Sequence, residues 1–172
     1  MCNTKIFSSV PCDVSALHLS EKVGDKKRKK REEPLDMEKR LTAHFTLGEL
    51  MRSGEAIRRG IENVPAAHPE DGLRNVDVER NLRQLCECVL EPLRQHVGRV
   101  IVTSGYRCGV LNAAVGGSPR SYHLQGRAAD VFVSGEEMCR KYERVLRSLG
   151  CCKELILEPV GKKEKRWIHV SI

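Results

Sequence analysis

The chain has 172 residues, enough for one domain with a sizeable core. Aromatic residues make up only 4%, so aliphatic side chains must build that core, and no stretch approaches the ~20 apolar residues of a membrane-spanning helix. The formal charge is +7, but residues 1–40 hold +3 of it (ten Lys/Arg against seven Asp/Glu), so the basic excess is partly local and no signature of the whole chain.

Residues 1–40 show no period and mix Ser, Pro, Lys and Glu around the run Lys26-Lys27-Arg28-Lys29-Lys30-Arg31. They are expected to form a disordered basic tail ahead of a domain over 41–172. Such a run suits nucleic acid or an anionic envelope polymer. No groove-reading motif accompanies it, so a solvated tail is the preferred reading. Met1 to Ser20 lacks a sustained apolar run behind a basic start, which reads as no signal peptide and cytoplasmic synthesis. The eight cysteines include no Cys-x-x-Cys pair; Cys86 and Cys88 point in different directions on a helix, and Cys151 and Cys152 are adjacent. Reduced thiols are expected, in keeping with a reducing compartment.

Thr46 and Glu49 form a capping-box pair that should start a helix running to Arg59 and ending at Gly60. Residues 63–74 read as a loop. Val78, Leu82, Leu85, Val89, Leu93 and Val97 recur at helical spacing, which predicts one long helix over 76–97, kinked or split by Pro92. His96, near its end, reads as a surface residue. Residues 99–104 predict a strand that delivers Ser104-Gly105-Tyr106-Arg107. A guanidinium can clamp a carboxylate with two parallel hydrogen bonds, so Arg107 is either a substrate clamp or a structural ion-pair partner. A short helix over 108–115 ends at Gly116-Gly117-Ser118-Pro119.

Two stretches then carry chemistry. Ser121 to Asp130 supplies His123 and Asp130, with Gly126 allowing a tight turn between them; Trp167 to Ser171 supplies His169. Residues 127–133 read as a strand whose alternation puts Ala128, Asp130 and Phe132 on one face. Asp130 is thus a lone acid in an apolar strand, and an unpaired buried carboxylate is costly. In residues 166–172, Ile168, Val170 and Ile172 face one way and Trp167, His169 and Ser171 the other. Two imidazoles and a carboxylate suit zinc, which in catalytic sites keeps three protein ligands and a fourth position for water. His123, Asp130 and His169 would fill those three places. Ser121 either supports this group and the substrate or only shapes the turn. A helix over 135–149, ended by Gly150, should bury Met138, Tyr142, Val145 and Leu149. Residues 154–158 form the next strand, joined by a 159–165 loop to the last. In a simple hairpin register Glu158 lies opposite Trp167, and Ile156 opposite His169.

Five separated blocks occur in order: Ser104-Gly105-Tyr106-Arg107, Leu111-Asn112, Val115-Gly116-Gly117-Ser118, Ser121-x-His123-x-x-Gly126-x-Ala128-x-Asp130 and Trp167-x-His169. Together they resemble the zinc D-alanyl-D-alanine carboxypeptidase family and its phage-endolysin relatives, from about Phe45 to the C-terminus. The resemblance implies an α+β fold like that of hedgehog domains and DD-peptidases: a small antiparallel sheet, helices on one side, a zinc cleft on the other. It also implies His123, Asp130 and His169 as zinc ligands, one zinc per chain, and Arg107 as a substrate-binding residue. The implied activity is hydrolysis of peptidoglycan stem peptides containing D-amino acids; a monomer is expected, acting at the wall after release. Many relatives place the catalytic acid three residues before the final His, where this chain has Arg166. Of the nearby acids Glu154, Glu158 and Glu164, Glu158 is assigned as the base; Glu154 is expected to fall beyond the height of His169. A non-catalytic zinc module of the hedgehog kind is the alternative. A nucleic-acid binder acting through the tail ranks last, because it leaves the ligand triad unexplained.

Overall fold

The structure is a computed structural model and describes residues 32–172. The basic run lies outside the described residues. The fold is α+β. Four short strands form one antiparallel sheet in the order β1-β2-β4-β3, with β1 Val102–Ser104, β2 Ala128–Phe132, β3 Glu154–Glu158 and β4 Trp167–Ser171. Alternation sorts the side chains by face. Ala129, Val131, Ile168, Val170, Leu155 and Leu157 join the apolar core, while Asp130, His169, Glu154 and Glu158 occupy the opposite face.

The first helical stretch is broken in two. Helix α1 (Leu47–Met51) has the expected capping box, and α2 (Gly54–Arg59) begins afresh at Ser53, whose side chain accepts from Ala56 N. Arg52 between them is extended. The periodicity did not reveal this break, because Ser53 is a good helix starter inside an otherwise helical run.

The segment just before α1 differs from the expected tail. The first amides of a helix have no partner within it. Here Leu47 N donates to Lys39 O at 2.9 Å and Gly48 N to Met37 O at 2.8 Å. Gly48 is suited to this approach, since a Cβ there would meet Met37 O at 2.8 Å. Farther back, Asn75 N donates to Glu32 Oε2 at 2.9 Å, and Leu35 and Met37 pack against the core. Residues 32–40 therefore belong to the folded domain, and the expected boundary at residue 40 comes too late.

The long helix is irregular inside. It runs as α3 (Asn75–Leu85), a π-turn segment Cys86–Leu90, and α4 (Glu91–Val97). Pro92 explains the irregularity: it has no N–H for the carbonyl of Cys88. That carbonyl instead accepts from the Cys151 thiol at 3.0 Å. Pro92 thus leads to a link between this helix and the turn after α6 (Glu136–Leu149), the helix that follows the short α5 (Gly109–Ala114). Cys139, Tyr142 and Leu146 are the buried face of α6, with Met138, Val145 and Leu149 partly covered, so its apolar stripe is turned by about one position from the expected one. The six cysteines among the described residues are free thiols.

A chain starting at residue 41 should melt below one starting at residue 32. Several backbone hydrogen bonds are lost at ~1 kcal/mol each, and ~1 kcal/mol moves a domain of this size by about 4 °C. Thermal denaturation should show a drop of at least about 5 °C; equal melting temperatures would mean that residues 32–40 only rest on the surface.

Candidate metal centre

Strand pairing assembles the site. Asp130 on β2 lies directly opposite His169 on β4, which in turn lies opposite Ile156 on β3. His123 comes from a 3₁₀ turn (Tyr122–Gln125) immediately before β2. Ser121 caps that turn, its Oγ accepting from His123 N at 3.3 Å. Gly126 closes it with φ +67, a conformation that favours glycine, and a Cβ there would press on Val78 and Leu82 of α3. The turn therefore has little freedom, and neither does the imidazole it carries.

Three donor atoms converge. His123 Nε2 is 3.2 Å from Asp130 Oδ1 and 3.2 Å from His169 Nδ1, and His169 Nδ1 is 2.9 Å from Asp130 Oδ1. Donors held about 2.0–2.2 Å from one tetrahedral centre lie about 3.3–3.6 Å apart. The observed triangle needs to open by only a few tenths of an ångström to fit zinc.

The atoms behind these donors matter as much. His123 Nδ1 is 2.6 Å from Gly105 O, so its hydrogen goes to that carbonyl and Nε2 is left as a bare lone pair. Gly105 stands where it does because a Cβ there would fall 2.1 Å from Leu50 O. Asn63 fastens the same segment, its amide donating to Met51 O and Tyr106 O while its oxygen accepts from Cys108 N at 2.8 Å. Neither Asn63 nor the Gly105 carbonyl was visible as a site element in the sequence. Asn63 lies in a polar loop, and a carbonyl has no residue type to mark it.

Arg107 closes the fourth side. Its Nε donates to Ser104 Oγ at 2.8 Å and one Nη to Asp130 Oδ2 at 2.5 Å, and the same Nη lies 3.2 Å from His123 Nε2. Burial pushes the Asp130 carboxyl up, but the His123 and His169 imidazoles beside it and the Arg107 charge outweigh it and hold it well below the usual carboxylate range. Asp130 is therefore ionised. Desolvation in turn lowers the Arg107 guanidinium from its ordinary value, against the pull of Asp130.

The triad lies in a cleft of about 570 Å³, which Ser121, Arg120, Glu154, Glu158 and Trp167 also line. Arg166, three positions before His169, is an odd number of residues away on the strand and does not line it. Glu158 pairs with Trp167 in the expected register, and its Oε2 accepts from Val160 N at 3.0 Å. Glu154 pairs with Ser171, beyond the height of His169 as expected, but its side chain reaches back: its Oε2 lies 3.5 Å from His169 Nε2.

The family model described as Peptidase M15 matches residues 43–171, three-quarters of the chain. The chain belongs to the M15 peptidases. No curated protein matches it. M15 peptidases are zinc-dependent enzymes of the D-alanyl-D-alanine carboxypeptidase type, and the M15 domain here brings together one group of donors able to hold a metal among the described residues, His123, Asp130 and His169. Also among the described residues, no helix of this M15 peptidase is long and apolar enough to cross a membrane.

The purified protein should bind about one zinc per chain. His123→Ala, Asp130→Ala and His169→Ala should each lose most of it, whereas His44→Ala, His68→Ala and His96→Ala should keep it. Metal analysis after dialysis checks this. Full zinc in any of the first three variants would remove that residue from the site.

Proposed function

We propose that this M15 domain is a zinc metallopeptidase that hydrolyses peptide bonds involving D-amino acids in peptidoglycan stem peptides. It would act as a monomer, in the manner of a D-alanyl-D-alanine carboxypeptidase or an endolysin. The observation that carries the reading is the meeting of three donor atoms in a cleft that also holds a carboxylate outside the triad. Zinc bound by His123, Asp130 and His169 supplies a Lewis acid for the scissile carbonyl and acidifies water.

The remaining chemistry falls to the chain's own groups. Glu158 is the assigned base: it takes a proton from the attacking water and returns it to the leaving amine. Its position supports this. It shares the cleft face with His169, two register positions away, and the Val160 amide steadies one of its oxygens and leaves the other open. Arg107 is assigned to the substrate carboxylate, through the guanidinium hydrogens that Ser104 and Asp130 leave open. Ser121 lines the same cleft and holds the His123 turn in shape while the substrate is bound.

The second reading is a zinc module without hydrolysis, favoured by one observation: Arg166 occupies the place where many relatives carry the acid. Glu158 reaches the cleft from the neighbouring strand and makes up for that loss.

Glu158→Gln should keep its zinc and lose turnover about a hundredfold or more on a D-alanyl-D-alanine stem peptide, read by mass spectrometry of the products. Near-normal turnover in this variant would remove Glu158 as the base, and no turnover by the zinc-loaded wild type on any wall peptide would favour the non-catalytic module. Amidating the peptide's C-terminus should slow the wild type and have little further effect on Arg107→Lys, whose point charge cannot form the two-pronged contact. An equal response in both proteins, at equal zinc content, would leave Arg107 as a partner of Asp130 alone.

A further inference from the structure

A neutral imidazole has one bare nitrogen and one that carries hydrogen. His169 therefore has two states at this site. With its hydrogen on Nδ1 it donates to Asp130 Oδ1 at 2.9 Å. With its hydrogen on Nε2 it turns a lone pair toward the point that His123 Nε2 and Asp130 Oδ1 already face. Only the second state can ligate a metal through Nδ1, and it needs an acceptor for Nε2–H, because the His169 side chain is 14% exposed.

Glu154 is placed to be that acceptor. Its Oε2 lies 3.5 Å from Nε2. Its Cα is opposite Ser171, so Glu154 is the diagonal neighbour of His169 across the β3–β4 pair, a separation that long side chains bridge. The Lys153 N to Ser171 O hydrogen bond of 2.8 Å fixes the backbone just before it. The other two ligands have the same arrangement: the Gly105 carbonyl backs His123 and Arg107 backs the outer oxygen of Asp130. Glu154 is on the ring edge away from the three converging atoms.

We propose that Glu154 is a positioning residue for the metal centre: its carboxylate accepts Nε2–H of His169 and holds the tautomer whose Nδ1 binds zinc. The role rests on the reading of His123, Asp130 and His169 as the zinc site. It separates the two acids of β3 that flank His169 of the neighbouring strand. Glu154 acts through the histidine, and Glu158 acts on the reacting atoms.

The test is zinc affinity, measured on the full chain by chelator competition. Removing an outer partner of a metal-binding histidine costs about 10–100-fold in affinity. Glu154→Ala should weaken zinc by that factor, and Glu154→Gln, whose amide oxygen still accepts a hydrogen bond, should stay within about threefold of wild type. Long-range nitrogen–proton NMR of the zinc-loaded wild type should show the His169 proton on Nε2. Metal-free Glu154→Ala should melt within about 2 °C of the metal-free wild type, which separates positioning from folding. Wild-type affinity in Glu154→Ala would overturn the proposal and leave the zinc site standing. A wild type that binds no zinc would overturn both. Full zinc affinity with lost turnover in both Glu154 variants would make Glu154 the acid–base group and end its positioning role.

Discussion

The site depends on one strand pairing. Asp130 on β2 and His169 on β4 face each other across the centre of a sheet whose other face is the core of the domain. A carboxylate that is 8% exposed must have partners, and here the Arg107 guanidinium donates to one oxygen while the His123 and His169 imidazoles face the other. A slip of one residue in this pairing would send Asp130 or His169 into the apolar core and break the group. The core side chains Val131, Ile168 and Val170, all fully buried, hold the register. Packing energy on one face of the sheet is therefore what positions the polar atoms on the other.

Around that pairing the fold supplies stiffness from short, crowded pieces. Gly105 allows β1 to end against α1, which places its carbonyl behind His123, and Gly126 packs the His123 turn against α3. Asn63 ties three segments together through one buried amide. Asn112, 3% exposed, donates to Ser118 O at 2.9 Å and holds the glycine-rich loop at the rim of the cleft. None of these groups needs to touch a substrate. Each reduces the freedom of a donor atom before a metal or peptide arrives, and preorganisation of this kind is what a metal centre requires of its protein.

Much of this was legible from residue types and spacing. Asp130 stood out as a lone acid in an apolar strand, strand alternation put His169 opposite the apolar face of its own strand, and the hairpin register of β3 and β4 followed from the loop between them. The capping box at Thr46 and Glu49 was readable because it needs only two residues at fixed spacing. What escaped was set by tertiary contact. The segment 32–40 looks like a tail in composition, yet its carbonyls satisfy the first amides of α1. The π-turn before Pro92 depends on where a freed carbonyl finds a donor, and that donor, Cys151, is 63 residues further along the chain. The reach of Glu154 back toward His169 belongs to side-chain direction, which alternation assigns to a face but not to a neighbour.

In the proposed centre the lone pairs of His123 Nε2, His169 Nδ1 and Asp130 Oδ1 meet at one metal. The most direct measurement is a crystal of the zinc-loaded chain with diffraction collected on both sides of the zinc absorption edge. One strong anomalous peak is expected about 2.0–2.2 Å from each of those three atoms. A peak bonded to the thiols of Cys88, Cys151 or Cys152, or to the other ring nitrogen of either histidine, would contradict it.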